Sequence, residues 1–558
     1  LQRFARISQM FRCLPQLGLV ATLLQSAAGD GREAAAYGEG KDLTIKEGPA
    51  QAGAVAWGTF EDSGNSTGWG ILNIRTSGAF PDDMQYMAAG LVEGYLTAEH
   101  IYTSYINALN YVFHGEVSKP AIHFLEVQEA WASAQVQAAP HDRVWHQVGG
   151  ILAQLRGLET GYGKAGLPHA VPHSGFLMLN SVGDLFQIVQ AVDTARRVNY
   201  TNMSSAELQE HLKLHGMCSG IVKVSGAYED LYMAHSSWFT YSNMDRIFKH
   251  YHMDLNAKVA ARKVSFSSYP GYLSSLDDFY MMDSGLGMVQ TSNPVMNSSV
   301  LQSVHPQSLL SWQRVRVAHV LAETGKQWHE FFEEHYSGTY ANQYMIVDFK
   351  LFEPGKALKD GLLYVVEEMP GLLVGQDQTE RLRSGYWPSY NIPFYRSIYE
   401  RSGFLDPRLG LDRSAYELAP RAKIFRRDEG KIVDMGSLKR FMRYANFSDP
   451  YAKGEDGGVD YFAAICARGD LSPTKPRMSG CYDSKVTSHL HGFWNLSAEI
   501  VNGPTSVASD GTNGASGNPV FAWTAKQDPT PHFGEPPKFD FDFVRTAPRA
   551  LPGPLRKL

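Results

Sequence analysis

Cys218-Ser-Gly-Ile-Val-Lys-Val-Ser-Gly-Ala-Tyr-Glu-Asp-Leu-Tyr-Met-Ala-His235-Ser-Ser-Trp238 is the stretch around which the chain is organised. Ile221, Val222 and Val224 form a β-rich run directly after the cysteine. Residues 226–230 have turn composition, and 231–238 read as a returning strand. The spacing predicts a β-hairpin with a thiol at its start and an imidazole on its return. Two registers are open. A tight turn centred on Gly226 and Ala227, of type II′ with glycine first, sets Cys218 opposite His235. A five-residue loop over 226–230 sets it opposite Trp238. Either way the sulfur faces the Ala-His-Ser-Ser-Trp run.

A lone cysteine often fills a core as a small hydrophobe. Here Gly216, Ser219 and Gly220 leave room beside the sulfur for a substrate or another backbone, and no disulfide partner is obvious. The same stretch, continued through Phe239-Thr-Tyr-Ser-Asn-Met-Asp-Arg-Ile-Phe-Lys-His-Tyr251, resembles the phospholipase B-like family of lysosomal and secreted N-terminal-nucleophile hydrolases. Ordered matches extend along most of the chain: Gly90-Leu-Val-Glu-Gly-Tyr-Leu-Thr97, Asn180-Ser-Val-Gly-Asp-Leu185, Ser268-Tyr-Pro-Gly-Tyr-Leu-Ser-Ser-Leu-Asp-Asp-Phe-Tyr280, Ser337-Gly-Thr-Tyr-Ala-Asn-Gln-Tyr344, Ser389-Tyr-Asn-Ile-Pro-Phe394 and residues 480–486.

The resemblance implies an α+β fold, the αββα four-layer sandwich of N-terminal-nucleophile hydrolases, built as one large domain. It also implies self-cleavage between Met217 and Cys218. The Cys218 thiol attacks the Met217 carbonyl and water opens the thioester. The freed α-amine, with an ordinary pKa of about 7.7–8.0, then serves as base to the thiol. By the same resemblance His235 and Trp238 line the pocket, Asn391 donates to an oxyanion, Arg421 holds the region's charge and Thr291 contacts the new amine. Each has a plain alternative: core histidine, packing tryptophan, turn asparagine before Ile392-Pro393, surface arginine, strand threonine. Gly216-Met-Cys-Ser-Gly220 also fits a nucleophile elbow with cysteine for serine, but an elbow must enter a helix and a β-branched run follows instead.

The 558 residues are 44% hydrophobic with a formal net charge of −6, which gives no electrostatic footprint for nucleic acid. No apolar run reaches membrane-spanning length. Residues 10–29 read as a secretory signal, with Arg12, a short apolar core and then small residues; an amphipathic helix is the alternative. The expected divisions are therefore 1–28 as upstream extension and signal, 29–217 as one fragment and 218–558 as the fragment bearing the nucleophile. In an oxidising compartment Cys466 and Cys481 can close a disulfide loop, leaving Cys218 free. Sequons at Asn65, Asn199, Asn202, Asn297, Asn446 and Asn495 fit a glycosylated protein of the lysosome lumen or extracellular space.

Helical spacing runs over 86–114, 120–160 and 309–336, and β-rich runs over 344–349, 361–367 and 423–427. After about residue 504 periodicity fades. His329-Glu-Phe-Phe-Glu-Glu-His335 imitates a zinc helix, but its histidines fall on different faces, whereas HExxH needs them at i and i+4. Arg468-Gly-Asp470 is a tripeptide that chance supplies. No cofactor or metal is expected. The expected function is hydrolysis of acyl chains from phospholipids or related acyl lipids. An amidase on N-acyl lipids or peptides, or a non-catalytic glycoprotein, is the alternative.

Overall fold

Alternation of apolar residues along the strands sets the architecture. The computed structural model describes residues 31–40, 42–215, 218–454, 457–506, 517–525, 531–551 and 553. The expected signal segment and Met217 lie outside these residues. Within them a sheet of eleven strands runs in the order Leu372–Asp377, Leu363–Met369, Asn342–Asp348, Leu286–Ser292, Phe279–Met282, Lys263–Ser268, Arg246–His252, Trp69–Thr76, Ala56–Ser63, Arg32–Glu39 and Asp42–Glu47. A six-stranded sheet runs Tyr386–Ser389, Ser219–Val224, Leu231–Ser236, Asp483–Ser488, Ala498–Asn502 and Val544–Thr546.

The two sheets share one apolar core. Val222, Val224, Leu231 and Met233 of the smaller sheet meet Phe248, Phe279, Met281, Val289, Met345 and Val347 of the larger. Period two sends the alternate residues of the larger sheet, such as Ile247, Tyr280, Tyr344 and Ile346, to its opposite face. There they pack against helices Asp82–Leu96, Arg143–Lys164, Ser311–Leu321 and Gly325–Glu333. The first two of these helices touch backbone to backbone: a Cβ on Gly90 would lie 2.0 Å from the Gln154 carbonyl oxygen, and one on Gly157 2.1 Å from that of Met87. The outer face of the smaller sheet, through Ile221, Ala234 and Val486, is covered by Leu208 and Leu212 of Ser205–His215, Ile424 and Phe425 of Pro420–Asp428, and Leu438 and Met442 of Met435–Met442. Sheets and helices thus form one large mixed α+β domain. Among the described residues no single helix is long and apolar enough to cross a membrane; the bent pair His173–Asn180 and Val182–Val192 passes by composition, but its apolar residues belong to the core.

The helices expected over 86–114, 120–160 and 309–336 and the strands expected over 344–349 and 361–367 form; the first helical stretch breaks at 97 and passes into a π-helical turn at Ala108–Val112, the second breaks at 139–142, and the third breaks at 322–324 and ends at Glu333. Three local expectations are corrected. Residues 423–427 lie in the helix Pro420–Asp428, because Pro420 at its first position presets φ and the Ile424-Phe425 pair reaches the core at helical spacing. The hairpin register is neither of the two expected: Ser219 pairs with Ser236 and Gly220 with His235. The loop closes with Ser225 N–H on the Asp230 carbonyl and the Ser225 hydroxyl oxygen accepting from Glu229 and Asp230, and positive φ falls on Tyr228 rather than Gly226. The returning strand ends at Ser236; Trp238–Thr240 leaves the sheet to pair with Ser479–Cys481.

Candidate functional site

Cys218 stands one residue before the strand Ser219–Val224, at the mouth of the gap between the sheets, 3% exposed and with φ of 86°. Continuing the pairing of Ser389 with Gly220 by two residues sets Asn391 on one side of it, and continuing Ser219 with Ser236 by one sets Ser237 on the other. The hydrogen bonds agree. Arg421, from the first turn of Pro420–Asp428, donates to the Cys218 carbonyl at 2.6 Å, the Ser219 hydroxyl at 3.2 Å, the Tyr390 carbonyl at 2.7 Å and Asn391 Oδ1 at 2.6 Å. Its guanidinium lies 4.4 Å from the Trp238 ring centroid. The Trp238 backbone N–H lies on the thiol side, where it favours the thiolate, though no contact of full hydrogen-bond geometry forms.

Asn391, also at positive φ (68°), donates Nδ2 to the Ser292 carbonyl at 2.6 Å, which fixes the amide plane. Thr291, in the facing sheet, donates or accepts at 2.7 Å with Ser389 and lies behind Gly220, where a Cβ would sit 3.5 Å from its methyl group and 2.9 Å from Met345. Gly220 therefore serves close approach of the two sheets. Cys466 and Cys481 are joined in a disulfide that packs against Trp238, and Cys218 is the free cysteine among the described residues. So Cys218, Trp238, Asn391, Arg421 and Thr291, chosen from separate parts of the sequence, come together. His235 is fully buried opposite Gly220, two pairs deeper than the tight-turn register sets it and one shallower than the five-residue loop does. The Gln290 backbone lies close to its ring, though neither ring nitrogen makes a contact of full hydrogen-bond geometry. Burial and the nearby Lys485 cation hold its pKa well below the usual histidine range, so it is neutral.

A charged cluster that the sequence reading did not single out lies beneath the thiol. Arg246 pairs with Asp277 at 2.6 Å and with Asp483; Lys485 donates to Asp483 at 2.8 Å and to the Ser237 hydroxyl; Ser237 donates to Asp277 at 2.5 Å. All five side chains are buried. Two cations and two carboxylates balance, which lets the cluster persist between the sheets. A signal was present: Asp483 and Lys485 alternate in a β-rich run and so share one face, and Asp277 ends a turn between strands. Burial pushes the Cys218 thiol up to about 12, so it is un-ionised at neutral pH and needs a base. On the Arg421 and Asn391 side of Cys218 a small cleft of about 50 Å³ opens, lined by Arg421, Asn391, Arg413, Phe404 and Phe462 among others.

His329 and His335 do not converge: the first contacts Tyr364, the second stacks near Trp145 outside the helix. Among the described residues no cluster fit to hold a metal ion occurs. The sequon residues Asn65, Asn199, Asn202 and Asn495 are exposed, while Asn297 and Asn446 are half-buried.

Comparison with known proteins matches residues 56–546 to the phospholipase B family profile. The chain is 41% identical to phospholipase B-like 1 of Rattus norvegicus over 504 residues, covering 88% of each. It is 40% identical to phospholipase-B 81 of Drysdalia coronoides over 520 residues, covering 91% of this chain and 90% of the other. With phospholipase B-like protein D of Dictyostelium discoideum it shares 33% over 524 residues.

Proposed function

Because the chain belongs to the phospholipase B family, we propose that it is a hydrolase that removes acyl chains from phospholipids or related acyl lipids, with Cys218 as an N-terminal nucleophile exposed by self-cleavage after Met217. The observation that carries this reading is the position of Cys218. It precedes the first residue of an inner strand, its carbonyl held by Arg421 and its row flanked by Asn391 and Ser237. The helices on the outer faces of two stacked sheets support the αββα arrangement of that hydrolase class.

In the precursor the Cys218 sulfur attacks the Met217 carbonyl carbon. The peptide C–N bond breaks and its nitrogen gains a proton. Water then cleaves the thioester, freeing thiol and α-amine. That amine, titrating near neutrality, supplies the base that the buried thiol lacks. The thiolate attacks the substrate acyl carbon, Asn391 donates toward the developing oxyanion, and water releases the fatty acid. Arg421 fixes both Cys218 and Asn391, and Trp238 forms the wall. Thr291, behind Gly220 in the facing sheet, is on this reading the residue that contacts the new amine. The exposed sequons and the Cys466–Cys481 disulfide support a lumenal destination, lysosomal or extracellular.

The test is mass spectrometry and N-terminal sequencing of purified precursor held with protease inhibitors. Wild type should yield fragments meeting at 217/218 that remain associated and release fatty acid from phospholipid vesicles. Cys218→Ala should stay intact and inactive, and Cys218→Ser should cleave slowly, because a hydroxyl is far less ionised than a thiol. An uncut wild type with full activity would refute the mechanism.

A further inference from the structure

Ser237 is the neighbour of Cys218 across the hairpin. Ser225 N–H bonds to the Asp230 carbonyl, and Val224 N–H turns away to Gly385. Counting outward from there, hydrogen-bonded and non-hydrogen-bonded pairs alternate, and the 218/237 position falls on a non-hydrogen-bonded pair, where facing side chains approach most closely. Arg421, which lies 4.4 Å from the Trp238 ring centroid and donates to the Cys218 carbonyl at 2.6 Å, places the 237–238 segment beside Cys218 independently of that count. The Ser237 hydroxyl is itself held from two sides. It donates its one hydrogen to Asp277 Oδ2 at 2.5 Å, and Lys485 Nζ donates into its oxygen. Asp277 is anchored in turn by Arg246 at 2.6 Å and by the Ser275 hydroxyl at 2.8 Å. With its hydrogen committed, Ser237 can face the sulfur only as an acceptor.

We propose that Ser237, locked by Asp277 and Lys485, is a positioning residue for Cys218. It accepts the S–H hydrogen on the inner side of the sulfur and so leaves a sulfur lone pair directed outward, toward the Arg421 and Asn391 side where the scissile carbonyl must lie. This rests on the reading of Cys218 as the self-cleaving nucleophile. It differs from the role of the α-amine, because it operates before any amine exists. The charged and titratable groups around the thiol are Asp277, Asp483, Lys485, Arg246 and His235 within the sheets, Tyr340 from the facing strand's approach and Arg421 from the covering helix.

The experiment compares purified wild-type, Ser237→Ala and Ser237→Thr precursors. The self-cleavage rate is followed over a pH series, and the alkylation of Cys218 by iodoacetamide over the same series in the cleaved enzymes. Loss of one buried hydrogen bond predicts cleavage slowed roughly tenfold in Ser237→Ala, with the pH midpoints of cleavage and alkylation both displaced. Ser237→Thr, which keeps the hydroxyl, should restore the wild-type midpoint. Wild-type rate and midpoints in Ser237→Ala would overturn the proposal. So would equal slowing in both variants with unmoved midpoints, the outcome of a packing role alone. If Ser237→Thr does not fold, the alkylation midpoint of Ser237→Ala decides by itself. Should wild type not cleave at 217/218 at all, the nucleophile reading fails; should it cleave while Ser237→Ala behaves normally, only the positioning role fails.

Discussion

Replacing Arg421 tests whether one side chain holds the site together. Its guanidinium spans four acceptors at 2.6, 3.2, 2.7 and 2.6 Å and stacks on Trp238. Arg421→Ala strips donors from the Cys218 and Tyr390 carbonyls, each worth about 1–3 kcal/mol when left unsatisfied. The adjoining cleft admits water to part of this set, so the lower end applies. With the lost stacking, roughly 2–4 kcal/mol of stability should go. Arg421→Lys keeps the charge, but a point ammonium cannot bridge four divergent acceptors, so about half the loss should remain. The assay is urea unfolding in a Cys218→Ala background, where every protein is expected as one chain and midpoints compare directly. Self-cleavage is then measured with Cys218 restored, where Arg421→Ala should be slower than its lost stability explains. A midpoint within about 0.5 kcal/mol of the parent, or a lysine variant equal to arginine, would refute the claim that the fork geometry organises Cys218 and Asn391.

Three further outcomes are expected. Cys466→Ser combined with Cys481→Ser should cost about 3 kcal/mol in the same assay, from a bridge spanning 15 positions, and should loosen Trp238, visible in its fluorescence. Burial pushes the Glu367 carboxyl from 4.5 up to about 7, although Phe394, Tyr395 and Gln343 donate to it. The folded chain therefore binds an extra proton between those values, so this group's contribution weakens as pH rises through that window and levels off above it. Glu367→Gln should flatten that part of the stability–pH curve, and an unchanged slope would count against it. His235→Gln should fold but cleave slowly, since the neutral imidazole lies beside Lys485 two pairs along the hairpin from the thiol; a fully active variant would make His235 a core residue.

The hairpin was legible because β-branched residues flank a turn, and the helices over 86–114 and 120–160 because apolar spacing persists for many turns. What failed was local. Register depended on the Ser225 hydroxyl capping the loop, and the glycine next to it drew attention to the wrong turn. Lys423-Ile-Phe-Arg-Arg427 carries no period of its own, so Pro420 and packing against the smaller sheet decide its helix. The convergence of Asn391, Arg421 and Thr291 on Cys218 spans more than 200 positions, beyond any local pattern, and only the family resemblance reached it. The Arg246–Asp277–Lys485–Asp483 cluster has members from two strands and a turn; the alternation of Asp483 and Lys485 marks one face of their strand, but their pairing with Arg246 and Asp277, more than 200 positions away, is beyond any local pattern.

The larger sheet has one seam of a different kind. Trp69–Thr76 pairs in parallel with Arg246–His252, whereas every other neighbouring pair described in that sheet is antiparallel. A parallel join cannot be made by a hairpin; it waits for a crossover, and here the crossover holds five long helices and the nucleophile hairpin. During synthesis the strand at 69–76 must stand with an open edge until residue 252 has emerged, a long exposure for an unpaired strand. Only then do the two sheets have a common interior to close upon. The burial of the thiol is thereby scheduled late, and its appearance at a cleaved terminus would serve as a timestamp that the seam has been sewn.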